Sequence, residues 1–197
     1  MDVELLSSDQ PFSGFLRISR HSFRYRKQDG HWSNSLTREV CKRAPAVAVL
    51  PYHPESDSVM LLEQFRLPAW LAGMDGWQIE VVAGIIEDQQ NEEQTALRES
   101  REEAGLEISA LWSINRVLPS PGGCDEVISL YLGRLDAPGT NGFYGLAEED
   151  EDIRAFMVPF EEAYQMLERG EIENATAWMA LVWLRLNRDQ VQRAWKT

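Results

Sequence analysis

The chain has 197 residues, 44% hydrophobic and 26% charged, so it can bury one ordinary globular core and is not disordered throughout. Its 32 acidic residues against 19 basic ones give a formal net charge of −13, and a field of that sign repels nucleic acids and anionic membranes. We therefore expect neither as a partner, and no apolar stretch is long enough to span a bilayer.

The first forty residues predict an antiparallel β region. Phe15–Tyr25 is rich in aromatic and β-compatible residues, and Asp29-Gly30 is a hairpin signal before Trp32–Val40. Met1–Gln10 carries acidic residues and no apolar core, so we expect no signal peptide. We expect residues 1–44 to form this region and residues 45–197 to form the main domain.

The main domain mixes short strands with helices, which predicts an α+β fold. The predicted strands are Ala46–Leu50, Val59–Phe65, Trp77–Val82, Leu111–Leu118, Val127–Leu135 and Ile153–Val158. A central helix is expected to begin after the N-cap Asn91, with Gln94 completing a capping box, and to end at Gly105. Two further helices are expected at the C-terminus, Phe160–Arg169 and one that starts at Asn174 or Thr176.

Three glutamates share one face of the central helix. Glu99, Glu102 and Glu103 stand at i, i+3 and i+4, and like charges at that spacing destabilise an isolated helix by roughly 0.2–0.5 kcal/mol. A hard divalent cation would offset the repulsion, since Mg²⁺ binds carboxylate oxygens. The simpler interpretation is a solvated acidic face with an Arg98–Glu102 ion pair. A separate stripe of small residues (Ala96, Ser100 and Ala104) is suited to close packing against a sheet.

The order of residues around these glutamates favours the metal site. The segment Gly84–Leu106 resembles the Nudix box, G-x5-E-x7-R-E-U-x-E-E-x-G-U, in which U is aliphatic. The matching residues are Gly84, Arg98, Glu99, Glu102, Glu103, Gly105 and Leu106. Gln90 replaces the first glutamate and Ser100 the aliphatic residue, changes that raise the possibility of weakened or lost activity. The resemblance implies a Nudix fold, a mixed β-sheet sandwiched between helices with an N-terminal antiparallel β region.

The same resemblance implies roles for the residues of the box. Glu99, Glu103 and the carbonyl of Ala83 would bind Mg²⁺, with Mn²⁺ as a possible substitute. Glu102 would support the cluster or share a metal, and Arg98 would orient the glutamates. Such a site hydrolyses a pyrophosphate bond, because the cations neutralise its charge and align the attacking water.

Residues outside the box resemble the ADP-ribose pyrophosphatase branch of the family over nearly the whole chain. Pro121, within Ser120-Pro121-Gly122-Gly123, lies fifteen residues beyond Leu106, where that branch has a proline. The implied reaction converts ADP-ribose to AMP and ribose 5-phosphate. The resemblance also implies a homodimer. Cys41 and Cys124 show no metal-ligand spacing and indicate reduced thiols in a cytoplasmic protein, although the sequence leaves one bridge open.

The branch also implies a set of substrate contacts. Phe15 would stack on the adenine, although a core or interface position fits it equally well. Arg38 and Glu39 would reach the nucleotide across the dimer interface, unless they only pair with each other at a strand edge. Arg66 would contact the diphosphate. The polar substrate groups would be met by Glu80 and Glu126, and the general base would be Glu149, with Glu151 as the alternative.

Two other functions stay open at this stage. A sister enzyme that hydrolyses GDP-mannose or another nucleoside diphosphate sugar shares the Ser-Pro-Gly-Gly stretch. A catalytically silent binder of nucleotide sugars is compatible with Gln90. A purely structural protein gives no reason for the complete box.

Overall fold

The computed structural model describes residues 2–145 and 151–195, and the chain divides into two compact units. The first unit contains Met1–Pro45 and Leu118–Val127, and the second contains Ala46–Val117 and Ile128–Thr197. Leu118–Val127, which the sequence prediction left in the main domain, thus belongs to the first unit. Backbone hydrogen bonds attach it there, for example from the Cys41 amide to the Gly123 carbonyl at 2.8 Å.

The first unit is built on a three-stranded antiparallel sheet. Its strands are β1 (Val3–Ser13), β2 (Arg17–Tyr25) and β3 (Leu36–Lys42), in that spatial order. Every residue of β1 is exposed, so β1 lacks the apolar alternation that identifies a strand in a sequence. Cross-strand ion pairs hold it to β2 instead, such as Arg20–Asp9 at 2.5 Å.

The second unit contains an eight-stranded sheet. Its strands are β4 (Ala46–His53), β5 (Ser58–Phe65), β6 (Trp77–Glu80), β7 (Val82–Ile85), β8 (Ala110–Val117), β9 (Ile128–Arg134), β10 (Gly142–Tyr144) and β11 (Ile153–Pro159). The order is β10-β11-β5-β4-β9-β8, while β6 pairs with β5 and β7 with β4. Only the β4–β9 pair is parallel among the described strands, so the sheet is mixed. The single strand predicted over Trp77–Val82 is therefore divided between β6 and β7, which have different partners.

Helices cover both faces of this sheet. They are α1 (Leu67–Leu71), α2 (Glu92–Ala104), α3 (Phe160–Glu168) and α4 (Ala175–Trp195). Along β4, Val47 and Val49 join the apolar cluster beneath α2, whereas Ala48 and Leu50 join the cluster beneath α3 and α4. This alternation places the two clusters on opposite faces. The predicted architecture, a mixed sheet between helices, is confirmed. In the described part of the chain no helix is long and apolar enough to cross a membrane.

Candidate active site

Helix α2 is defined by local signals at both ends. The Asn91 side chain accepts from the Gln94 amide at 2.8 Å, and the Gln94 side chain accepts from the Asn91 amide at 3.0 Å. This is the predicted capping box. Gly105 ends the helix in the left-handed conformation, at φ 63°. The helix therefore begins and ends where the sequence predicts.

The small-residue stripe seats α2 against the sheet. Ala96, Ser100 and Ala104 are fully buried. The Ser100 hydroxyl donates to the Ala96 carbonyl at 2.7 Å, so the serine in place of an aliphatic residue leaves no unpaired polar group. Close packing along this stripe brings the carboxylates of the adjacent face toward β7.

Two of the three glutamates are buried. Glu103 is 7% exposed, and one of its carboxylate oxygens accepts the Ala83 amide of β7 at 2.9 Å. Burial raises the pKa of Glu103 to about 8; the Ala83 hydrogen bond opposes the shift, and the charge of Glu99 adds to it. Burial likewise raises the pKa of Glu99 to about 7, against the opposing charge of Arg98. The positive charges near the two carboxylates are therefore too weak to offset their burial.

The backbone at Gly84 leaves room for one of these carboxylates. A Cβ atom on Gly84 would lie 1.8 Å from Oε1 of Glu99, so no other residue fits there unless Glu99 moves. Glu99 and Glu103 are hard oxygen ligands that need a cation to be ionised together, which fits Mg²⁺ or Mn²⁺. In residues 2–145 and 151–195 no three acidic, histidine or cysteine side chains form a complete metal cage. This also fits Mg²⁺, which usually takes one or two carboxylates and fills its shell with water and substrate phosphates.

Arg98 connects the remaining residues of the box. Its guanidinium donates to Glu102 at 2.6 Å and to Glu99 at 2.8 Å. Its Nε donates to the side-chain oxygen of Gln90 at 3.3 Å, and the Thr95 hydroxyl donates to that same oxygen at 3.0 Å. Gln90 thus retains hydrogen bonds toward Arg98 without the charge of the glutamate that it replaces. The geometry is suited to the orienting role implied for Arg98.

Arg66 and Glu80 contact each other. Two nitrogens of Arg66 donate to the buried Glu80 carboxylate at 2.7–3.2 Å. Desolvation lowers the pKa of Arg66, but its bond to Glu80 and the charges of Glu103 and Glu151 outweigh it, so this pKa lies above its ordinary value. The sequence prediction treated Arg66 and Glu80 as separate substrate contacts and missed their pairing. The charge of Glu103 therefore acts on Arg66 in addition to the charge of its own partner, Glu80.

Of the two candidates for a general base, Glu149 lies outside the described residues. The charge of Glu151, the alternative, contributes to the raised pKa of both Glu99 and Glu103. The Gln64 side chain of β5 donates to Glu151 at 3.4 Å. Gln64 was not among the predicted site residues, since a polar residue near a strand end carries no signal for this contact.

The other predicted substrate residues lie in the first unit. Phe15 is 93% exposed between β1 and β2, so the core interpretation of this side chain is wrong. Arg38 donates to the Thr37 carbonyl at 2.8 Å and forms no ion pair with Glu39 in the described structure. The two are consecutive in β3 and so point to opposite faces, which excludes the strand-edge pair.

Glu126, on Leu118–Val127, accepts from Arg43 at 3.2 Å. Arg43 was not predicted, because 83 positions separate it from Glu126 and no local pattern joins them.

The matches to known proteins cover almost the entire chain. The NUDIX domain profile matches residues 42–194. The ADP-ribose pyrophosphatase of Escherichia coli (strain K12) is 39% identical over 194 residues, covering 98% of this chain and 93% of that protein. The ADP-ribose pyrophosphatase of Haemophilus influenzae is 39% identical over 198 residues, 99% of this chain and 91% of that protein.

More distant matches agree in fold. The GDP-mannose pyrophosphatase of Cronobacter sakazakii is 31% identical over 188 residues, 94% of this chain and 96% of that protein. A solved structure of an ADP compounds hydrolase superposes with a TM-score of 0.73 and 17% identity, over 98% of this chain and 97% of the other. At that identity the superposition shows a shared fold.

Proposed function

The chain belongs to the Nudix family, and we propose that it hydrolyses the pyrophosphate bond of ADP-ribose to AMP and ribose 5-phosphate, with Mg²⁺ or Mn²⁺ as cofactor. The observation that carries the proposal is the pair of buried carboxylates, Glu99 and Glu103, on the face of α2 that packs against β7. ADP-ribose is favoured over GDP-mannose because the ADP-ribose pyrophosphatases are 39% identical to this chain and the Cronobacter GDP-mannose pyrophosphatase is 31% identical.

The residues of α2 and β7 form the proposed metal site. Glu99 and Glu103 would hold the cation together with the carbonyl of Ala83, and Glu102 would support the cluster. When bound, the cation would supply charge neutralisation for the pyrophosphate and polarisation of the attacking water. Arg98 fixes Glu99 and Glu102 through its two short hydrogen bonds. These contacts limit the rotamers of the glutamates before substrate arrives.

Arg66 would bind the negatively charged diphosphate of the substrate. Its bond to Glu80 holds the guanidinium in place, and a bound diphosphate would share its remaining donors. Glu80 then acts both as an anchor for Arg66 and as a contact for polar substrate groups. Either Glu149 or Glu151 would accept the proton of the attacking water, and the action of the Glu151 charge on both buried carboxylates supports Glu151 as a candidate.

The nucleoside end of the substrate would be bound by residues of the first unit in a homodimer. Phe15 would stack on the adenine, since its ring is almost completely exposed. Arg38 and Glu39, which make no ion pair with each other, would contact the nucleotide across the dimer interface. Glu126 would bind polar groups. We place the enzyme in the cytoplasm, where its two free cysteines would be kept reduced.

A product assay on a panel of nucleotide sugars tests this function. ADP-ribose, GDP-mannose and two other nucleoside diphosphate sugars are incubated with the enzyme and Mg²⁺, with and without EDTA. We expect kcat/KM to be highest for ADP-ribose and turnover to stop with EDTA. A higher kcat/KM for GDP-mannose would favour the sister activity. Binding of nucleotide sugars without turnover of any would show a silent binder.

A further inference from the structure

We propose that Cys41 and Cys124 form an oxidative modification site, at which reaction with a low-molecular-weight disulfide produces a reversible intramolecular disulfide bond. Cys41 lies in β3 and Cys124 on Leu118–Val127, both within the first unit. The two residues face each other directly in an isolated parallel β-bridge. Although 83 positions apart in the sequence, they are therefore immediate neighbours across the bridge.

The backbone of the bridge meets the geometric requirement of a disulfide. The Cys41 amide donates to Gly123 at 2.8 Å, and the Asp125 amide donates to the Cys41 carbonyl at 3.3 Å. Hydrogen-bonded strands lie about 4.8 Å apart, and paired residues direct their side chains to the same face. Disulfides join Cα atoms about 4.4–6.8 Å apart, so the spacing of paired strands falls within the range that a disulfide spans.

Contacts other than the thiols hold the two segments together. The Arg43 amide donates to the Asp125 carboxylate at 2.9 Å, and Lys42 forms an ion pair with the same carboxylate. The side chain of Arg43 binds Glu126 at 3.2 Å. The Glu126 amide donates to the sulfur of Cys124 at 3.4 Å, which fixes the position of that thiol. The backbone segments that carry the two cysteines are thus kept paired before any bond joins them.

Both thiols can be reached by a small oxidant, because both are free and only partly buried. The thiolate of one cysteine attacks the oxidant disulfide, forms a mixed disulfide and releases one reduced thiol. The neighbouring cysteine thiolate then attacks the protein sulfur of that mixed disulfide and releases the second thiol. Two protein thiols are oxidised, the oxidant disulfide is reduced to two thiols, and the two protein protons end on them.

The bond would tie the Ser120-Pro121-Gly122-Gly123 turn covalently to β3. It closes a ring between positions 41 and 124, which limits the conformations of the unfolded chain. The two positions are already paired in the native backbone, so closing the ring needs no new approach of the two segments. The oxidised protein should therefore melt at a higher temperature than the reduced one.

Intact-mass analysis of the full chain tests the proposal. The protein is incubated with oxidised glutathione, free thiols are blocked with N-ethylmaleimide, and the intact and peptide masses are measured. We expect wild type to lose two hydrogens, to carry no maleimide and to yield one peptide that links Cys41 to Cys124. Dithiothreitol should restore both thiols. Matched variants, Cys41→Ser and Cys124→Ser, should each keep a stable glutathione adduct, because the resolving thiol is absent.

A second measurement, the Tm of the wild type, keeps the proposal testable if the serine variants fold poorly. Wild-type Tm should rise by several degrees on oxidation and return on reduction. Two stable glutathione adducts on wild type, a disulfide-linked dimer or two unreacted thiols would each overturn the proposal. None of these measurements involves a nucleotide, so their outcome is independent of the proposed hydrolase activity.

Discussion

An exposed carboxylate of the first unit and a buried carboxylate of the second have pKa values shifted in opposite directions by their surroundings. In the first unit Asp9 is exposed and bonded to Arg20, and this bond lowers the pKa of Asp9 below its ordinary value. In the second unit burial raises the pKa of Glu103 to about 8. A paired, solvated carboxylate stabilises the folded chain slightly. A buried carboxylate without sufficient positive charge destabilises the fold, and a bound metal ion would remove that destabilisation.

The largest expected effect comes from removing a buried carboxylate charge. Glu103→Gln keeps the shape of the side chain and removes a proposed metal ligand, so kcat for ADP-ribose should fall by about a hundredfold or more. Steady-state rates at saturating Mg²⁺ provide the measurement. Glu107→Gln, an exposed acid bonded to Arg101, is the matched control and should retain wild-type rates. Equal activity of both variants would remove Glu103 from the site.

Adding one methyl group at Gly84 should have the next largest effect. Because its Cβ would meet Glu99 Oε1 at 1.8 Å, Gly84→Ala must displace that carboxylate. We expect a loss of activity of about 10–100-fold, with a weaker apparent affinity for Mg²⁺. Circular dichroism should show a folded protein. Unchanged Mg²⁺ dependence would mean that Mg²⁺ binding does not require the present position of the Glu99 carboxylate.

The response of stability to pH should depend on the metal. The folded-state pKa values of Glu99 and Glu103, about 7 and about 8, lie above the ordinary value of 4.5. Their protonated forms therefore stabilise the metal-free fold at low pH, and this contribution is lost as pH rises through 7–8. Because the cation binds the ionised carboxylates, Mg²⁺ should raise Tm more at pH 9 than at pH 6. An equal rise at both pH values would contradict this coupling.

The smallest effect is expected in the first unit. Asp9→Asn breaks the exposed Arg20 pair, and because such pairs contribute little, Tm should fall by about a degree at most. Turnover of ADP-ribose should not change. Thermal melts at low and high salt check this, since salt screens the wild-type pair. A loss comparable to that of Glu103→Gln would erase the contrast between the two units.

The sequence predicted the features that residues close together in the chain determine. The ends of α2 follow from Asn91, Gln94 and Gly105, and its buried faces follow from helical spacing. The bounds of strand β1 were not predicted, because the charged residues that stabilise it lie on β2. The pairing of Arg66 with Glu80 is a tertiary contact between β6 and the residue after β5, for which no spacing rule exists.

Contacts between segments far apart in the sequence were not predicted either. Leu118–Val127 joins the first unit through hydrogen bonds to β3, so no composition change marks it. The short elements α1 and β10 were missed because five and three residues are too few to show a period. Of the candidate site, the resemblance supplied the residue identities, and the structure supplied the burial that distinguishes Glu99 and Glu103 from exposed acids.

A Mn²⁺ titration followed by electron paramagnetic resonance tests the central claim most directly, because the signal of free Mn²⁺ decreases as the ion binds. Wild type, Glu99→Gln, Glu103→Gln and the control Glu107→Gln are titrated in parallel at pH 8.5. We predict binding by wild type and the control, and at least about tenfold weaker binding by each of the other two variants. Binding by Glu99→Gln and Glu103→Gln as tight as that of wild type would contradict a metal site on these two carboxylates.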